Sequence, residues 1–228
     1  MSAVIDLTGD EEEGNQRPRK KARKTASEPA WGKRRGVARI MGEFKSLLKA
    51  WGSERPKISD LELVRDVATT WQFKVRDFDD CPGGRQLNAD LERLSKTHGQ
   101  NFILMEIQFP DDYPTSPFFL RCVSPRFVWY TGHVTAGGSI CIEALTTSGT
   151  PGSWHPSHCV EAVLRMVFFQ MINAESGYVR TANGGGPTGP LRVDLHHRYT
   201  HDVLAPYSPQ EARSAYSRML HHHQRHGW

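Results

Sequence analysis

The sequence predicts an α+β domain in which an antiparallel meander sheet is flanked by helices. Three observations predict it: helical spacing of apolar residues from Val37, period-two segments that follow with short connections, and a second helical run from Val160.

Each element has its own signature. Val37, Ile40, Met41, Phe44, Leu47, Leu48 and Trp51 fall on one helical face, and Gly52 is a natural stop. Alternation then marks three strands, through Trp71, Phe73 and Val75, through Ile103, Met105, Ile107 and Phe109, and through Phe118, Leu120 and Cys122. Between the first two, Gln86 to His98 reads as an inserted helix with Leu87, Leu91 and Leu94 on one side. Val160, Val163, Leu164, Val167 and Met171 define a central helix. Gly184-Gly185-Gly186-Pro187 reads as a flexible loop within an unassigned stretch from Thr181 to Tyr207. Ser208-Pro209-Gln210-Glu211 is a capping box with proline at the first helical position, and Ala212, Ala215, Tyr216, Met219 and Leu220 supply the apolar face of a terminal helix.

Composition narrows the function. A chain of 228 residues with a 38% hydrophobic share can bury a substantial core but is short for two full catalytic domains. Four widely spaced cysteines, Cys81, Cys122, Cys141 and Cys159, form no CxxC pair, so neither a disulfide framework nor a zinc ribbon is indicated, and a reducing compartment is expected. No apolar stretch approaches the roughly 18 residues of a spanning helix, and the first residues lack a signal-peptide pattern, so no membrane partner and an intracellular protein are expected.

Residues 1–35 are polar and aromatic-poor with separate charge blocks, which suits a disordered tail preceding a core domain over 36–228. Nine Lys and Arg against six Asp and Glu put about +3 of the formal +4 charge there. The folded part is nearly neutral, which argues against a nucleic-acid partner. Arg17, Arg19, Lys20, Lys21, Arg23 and Lys24 form a dense basic run of the nuclear-import kind, with a solvated basic arm as the plainer alternative. Val4, Ile5, Asp6 and Leu7, followed by Asp10 to Glu13, resemble a SUMO-interacting motif, in which a short apolar strand extends the SUMO sheet and the acidic block meets a basic groove. An unremarkable acidic N-terminus is the alternative.

The core carries three ordered landmarks: Phe109-Pro110-Asp111-Asp112-Tyr113-Pro114, then Gly137-Gly138-Ser139-Ile140-Cys141-Ile142-Glu143, then Trp154-His155-Pro156 ahead of the central helix. In that order they resemble the ubiquitin-conjugating enzymes, and the inserted helix resembles their larger Q-type branch. The resemblance implies the UBC-like fold, with a four-stranded meander, an N-terminal helix, a central helix and C-terminal helices. It also implies that Cys141 accepts ubiquitin as a thioester from an activating enzyme and passes it to a substrate. Ubiquitin and the activating enzyme are the implied partners, with a ligase and SUMO-modified proteins as further candidates. No cofactor is implied, and the nucleus is the expected location, with the cytoplasm open.

Thioester transfer needs a nucleophile that accepts an acyl group and releases it to an amine. A free thiol has a pKa near roughly 8.5, and ordinary exposure of Cys141 is expected to suffice. The family's His-Pro-Asn places its Asn eight residues before the cysteine, and here Thr131-Gly132-His133 stands instead, as in the Q type. His133 could donate to a developing oxyanion or merely brace the loop. Glu143 matches a position where the family often has an acid near the incoming lysine, with a plain surface carboxylate as the alternative. For the family acid past the central helix, Glu175 is nearest and Tyr178 is the ungapped match, and neither is assigned.

Departures from the family bear on ligases. Thr115-Ser116-Pro117 follows Tyr113-Pro114 where an apolar Phe is usual, Ser157 replaces a small apolar residue, and Thr146 to Ser153 is longer than usual. The rival function is a non-catalytic ubiquitin- or SUMO-binding scaffold of the same fold. A metal module is disfavoured, because His155, His158 and Cys159, His197 and His201, and His221, His222, His223 and His226 give no four-ligand pattern. The terminal histidines suit a helix C-terminus.

Overall fold

The computed structural model describes residues 30–51, 56–181 and 184–226. The basic run, the SUMO-type motif and Gly52 lie outside the described residues. Among the described residues four helices, α1 (Ala30–Ala50), α2 (Gly84–His98), α3 (Val160–Ile172) and α4 (Pro209–His226), surround a sheet of β1 (Lys57–Leu63), β2 (Thr70–Arg76), β3 (Ile103–Gln108) and β4 (Phe119–Ser124), paired antiparallel in chain order. The expected α+β meander is therefore the architecture.

Register explains why the sheet has one apolar face. Trp71 opposes Ile107, Phe73 opposes Met105 and Val75 opposes Ile103, while Met105 and Ile107 oppose Cys122 and Leu120. All of these are buried, so the period-two residues meet as cross-strand pairs on the side that packs on the helices. Strand β1 has no such alternation in the sequence. Asp60, in the left-handed region at φ 52°, sits in a bulge between Ser59 and Glu62, and this spaces the partly buried Ile58, Leu61 and Leu63 three residues and then two apart.

Helix α1 corrects two expectations. It begins at Ala30, inside the segment read as tail, because Ala, Lys and Arg favour helix without an apolar stripe to reveal it. Its packed stripe is also narrower than expected. Ile40, Leu47 and Trp51 are buried and Phe44 lies edge-on against Trp71 at 5.1 Å, but Val37 and Leu48 are 40% and 55% exposed. On the same helix, Glu43 accepts hydrogen bonds from Arg39 Nε (2.9 Å), the Tyr113 hydroxyl (2.7 Å) and the Val160 backbone N–H (2.5 Å). One carboxylate thus ties α1 to the Tyr-Pro turn and to the start of α3, whose first-turn N–H groups lack helical partners.

The inserted helix α2 forms as expected, with Leu87, Leu91 and Leu94 buried and Gly99 ending it in the left-handed conformation. Buried Asp90 binds Arg192 with two hydrogen bonds (2.6 and 2.9 Å) and accepts the Val193 N–H, fastening the insertion to the chain after α3. The expected glycine loop is instead paired: Gly177–Thr181 (β5) and Gly184–Thr188 (β6) form a two-stranded antiparallel sheet. Backbone hydrogen bonds carry this pairing, and glycine leaves room for the Tyr130 ring, which would lie 3.0 Å from a Cβ at position 186. Among the described residues no helix is long and apolar enough to cross a membrane.

Candidate active site

Residues 131–145 carry the thiol along the β4 edge of the sheet, where the Cys122 N–H donates to Gly138 O (2.8 Å) and the Ile140 N–H to Leu120 O (3.2 Å). The Gly132 N–H donates to Gly189 O, the His133 N–H to Met171 O at the end of α3, and the Cys141 N–H to His133 O, each at 2.8 Å. A turn through Thr135–Ser139 folds the segment back so that Val134 bridges Ile140. Ile140 and Ile142 are buried, and by extended-chain alternation Cys141 between them faces the other way and is half-buried.

Helix α4 closes the far side. A Cβ at Gly137 would lie 2.5 Å from Glu211 O and 2.7 Å from Ala215 Cβ, and one at Gly138 2.6 Å from the Tyr207 ring. Gly137 therefore lets the helix sit directly on the turn, and Gly138 leaves room for the Tyr207 ring just ahead of it. Its start is capped reciprocally, with the Glu211 N–H donating to Ser208 Oγ (3.1 Å) and the Ser208 N–H to Glu211 Oε2 (3.3 Å). Ala212, Ala215 and Met219 face the core, and the Tyr216 hydroxyl donates to Leu145 O at 2.7 Å. Two turns on, His223 Nε2 lies 3.4 Å from Cys141 Sγ. Tyr216, Leu145 and His223 line a groove of about 830 Å3 that also touches Phe119, Ser148 and Thr150.

Burial pushes the Cys141 thiol up to about 11, so ordinary exposure does not describe it, and the thiol is protonated at neutral pH. Burial also holds His133 below its ordinary value; nearby His223 acts in the same direction, and interactions of the ring with the backbone of Asn173 and Cys141 oppose it. Tyr216 is pushed up to about 12 by burial and by the adjacent Cys141. Glu143 opens a short 3-10 turn, and its carboxylate accepts the Thr150 hydroxyl, so it is engaged with the long loop. Of the other thiols, Cys122 is buried in β4 and pushed up to about 12, Cys159 is exposed at the start of α3, and Cys81 is remote in sequence beside α2.

Cys141 and His133 are thus brought together, through the backbone and through the ring. Sequence reasoning missed His223 and Tyr216 as neighbours of the thiol. The signal was present, since positions 212, 215, 216, 219 and 223 continue one helical stripe, but nothing local says what that stripe covers. Among the described residues no three His, Cys, Asp or Glu side chains gather in a way that could hold a metal ion.

Comparison with known proteins gives a consistent family. The family model described as "Ubiquitin-conjugating enzyme" matches residues 96–182, a span that includes His133 and Cys141. Ubiquitin-conjugating enzyme E2 Q1 of Homo sapiens is 26% identical over 190 residues, covering 83% of this chain and 38% of that protein. A shorter Homo sapiens relative, the ubiquitin-conjugating enzyme E2 Q-like protein 1, is 27% identical over 168 residues, covering 74% of this chain and 85% of its own length. A solved structure of human ubiquitin-conjugating enzyme E2 G1 aligns with 60% of this chain and 94% of its own at 20% identity and a TM-score of 0.43. The chain spans well under half of the E2 Q1 relative. The family match over residues 96–182 and the similarity to these Q-type relatives support a ubiquitin-conjugating enzyme of the Q branch.

Proposed function

We propose that the chain accepts ubiquitin on Cys141 as a thioester from an activating enzyme and transfers it to a substrate. The observation that carries the reading is Cys141 itself, a half-buried thiol held between two buried isoleucines, with His223 against it lining an open groove. In loading, the thiol takes the acyl group by exchange, and in discharge an amine attacks the thioester and expels the Cys141 sulfur. His133, neutral and held at the backbone of Cys141, is the nearest candidate donor for the oxyanion of that second step, while its ring interactions with Asn173 and Cys141 support the bracing role equally. Glu143 shapes the loop through Thr150 and would orient the amine only on leaving that partner.

Incubation with an activating enzyme, ATP and ubiquitin should yield a band shift on non-reducing gels that thiol reductant abolishes. Cys141→Ser should give a reductant-resistant oxyester, and Cys141→Ala none. Normal charging of Cys141→Ala would refute the assignment. Ubiquitin binding without any thioester on the parent chain would favour the scaffold alternative.

The tail adds a recruitment role in this reading. Val4, Ile5, Asp6 and Leu7 bind SUMO on modified nuclear proteins, and Arg17, Arg19, Lys20, Lys21, Arg23 and Lys24 direct import. The acidic block that follows Leu7 supports the first role and the density of positive charge the second. Replacing Val4, Ile5 and Leu7 with alanine should abolish SUMO binding in an NMR titration and leave Cys141 charging intact. Unchanged SUMO shifts with the parent tail would end the recruitment idea.

A further inference from the structure

A thiol that burial keeps protonated at neutral pH is a poor nucleophile until something takes its proton. Four side chains near Cys141 could be asked to do so. The Glu143 carboxylate is engaged by Thr150. Tyr216 is protonated well past neutral pH and donates to Leu145 O. His133 turns its ring to the backbone of Asn173 and of Cys141. His223 alone among them has a ring nitrogen at the sulfur, with Nε2 at 3.4 Å, a normal distance for a hydrogen bond to sulfur. It also lines the adjoining groove between α4 and the long loop.

We propose that His223 is the proton acceptor for Cys141 when the thioester is loaded. The inference rests on the reading of Cys141 as the ubiquitin-accepting residue. The neutral ring carries its proton on Nδ1 and presents the Nε2 lone pair to the thiol. As Sγ bonds to the carbonyl carbon of the incoming thioester, the thiol proton passes to Nε2. The carbon–sulfur bond of that thioester then breaks, and the imidazolium returns its proton to the departing thiolate. Both the neutral ring and a free thiol on the activating enzyme are restored. Cys141 and His133 from the active-site segment are among the titratable groups facing this ring, as is His222 beside it on α4, ring centroids 5.7 Å apart. Helix α4 therefore does more than cover the sheet, since it delivers a base from a separate part of the chain.

The test is alkylation of the full chain by iodoacetamide, read at the Cys141 peptide by mass spectrometry from about pH 5.5 to about pH 9. In the parent Cys141 should react readily near neutrality, with only a shallow dependence on pH. His223→Gln should rise steeply with pH, as an unassisted thiol does, and react about 100-fold more slowly than the parent near neutrality. His221→Gln, at an exposed position on the same helix, should keep the parent profile. Free imidazole in the buffer should restore much of the rate to His223→Ala. An unchanged profile in His223→Gln, faster alkylation, or failure of the imidazole rescue would each overturn the proposal. Alkylation needs no ubiquitin, so a parent chain that shows this profile but forms no thioester would fail the enzyme reading alone.

Discussion

The seating of α4 on the Gly137–Gly138 turn can be tested with a pair of identical substitutions. At Gly137, an added methyl would lie 2.5 Å from Glu211 O and 2.7 Å from Ala215 Cβ, about 1 Å inside van der Waals contact. One obstacle is helix backbone, so a rotamer change cannot relieve it, and either the turn or α4 must shift. Overpacking of this kind costs about 1–3 kcal/mol. In a chain of this size 1 kcal/mol moves Tm by about 2–4 °C, so Gly137→Ala should melt roughly 4–8 °C below the parent at the middle of that range. Gly42 is the internal control. It is exposed within α1 and a Cβ there would meet nothing within 4 Å, so alanine should stabilise by about 0.5–1 kcal/mol through helix propensity alone. Calorimetry of the two variants should give shifts of opposite sign. Gly137→Ala melting at or above the parent temperature would refute the close contact between turn and helix.

Two further predictions concern the site and its support. His133→Ala should charge with ubiquitin at close to the parent rate but discharge to free lysine roughly 100- to 1,000-fold more slowly, and equal discharge rates in a single-turnover assay would leave only the bracing role. Burial pushes the Glu211 carboxyl up, but its bonds with Arg126 and the Ser208 N–H outweigh this and hold it below its ordinary value. A depressed carboxyl contributes stability that is present above its unfolded pKa and is lost as pH falls through the folded value. Glu211→Gln should therefore lower Tm at neutral pH and narrow its gap to the parent as pH falls below about 4.3, and a gap that does not narrow would count against the ion pair.

Long elements with a steady period were legible from sequence. The central helix shows its face through Val160, Val163, Leu164 and Val167, because burial on one side leaves a repeat that neighbours in sequence reveal. Strand β1 was hidden by its bulge at Asp60, which breaks the period of two. The β5–β6 hairpin was hidden because glycine pairs through its backbone and leaves no side-chain pattern. At the site, Cys141 and His133 lie eight residues apart in one segment, and a family motif links them. His223 is 82 residues from Cys141, and their meeting depends on how α4 crosses Gly137, which no local rule encodes.

That separation also has a meaning in time. During synthesis at about 5–20 residues per second, the codon for Cys141 is read roughly 4–16 s before the one for His223. The sheet and central helix can assemble in that interval, because every strand of the meander and all of α3 precede residue 173. The residues of the meander and of α3 are thus made before those of the α4 wall beside the thiol. Arrival of the last helix, rather than formation of the sheet, marks the moment at which the sulfur acquires its neighbour.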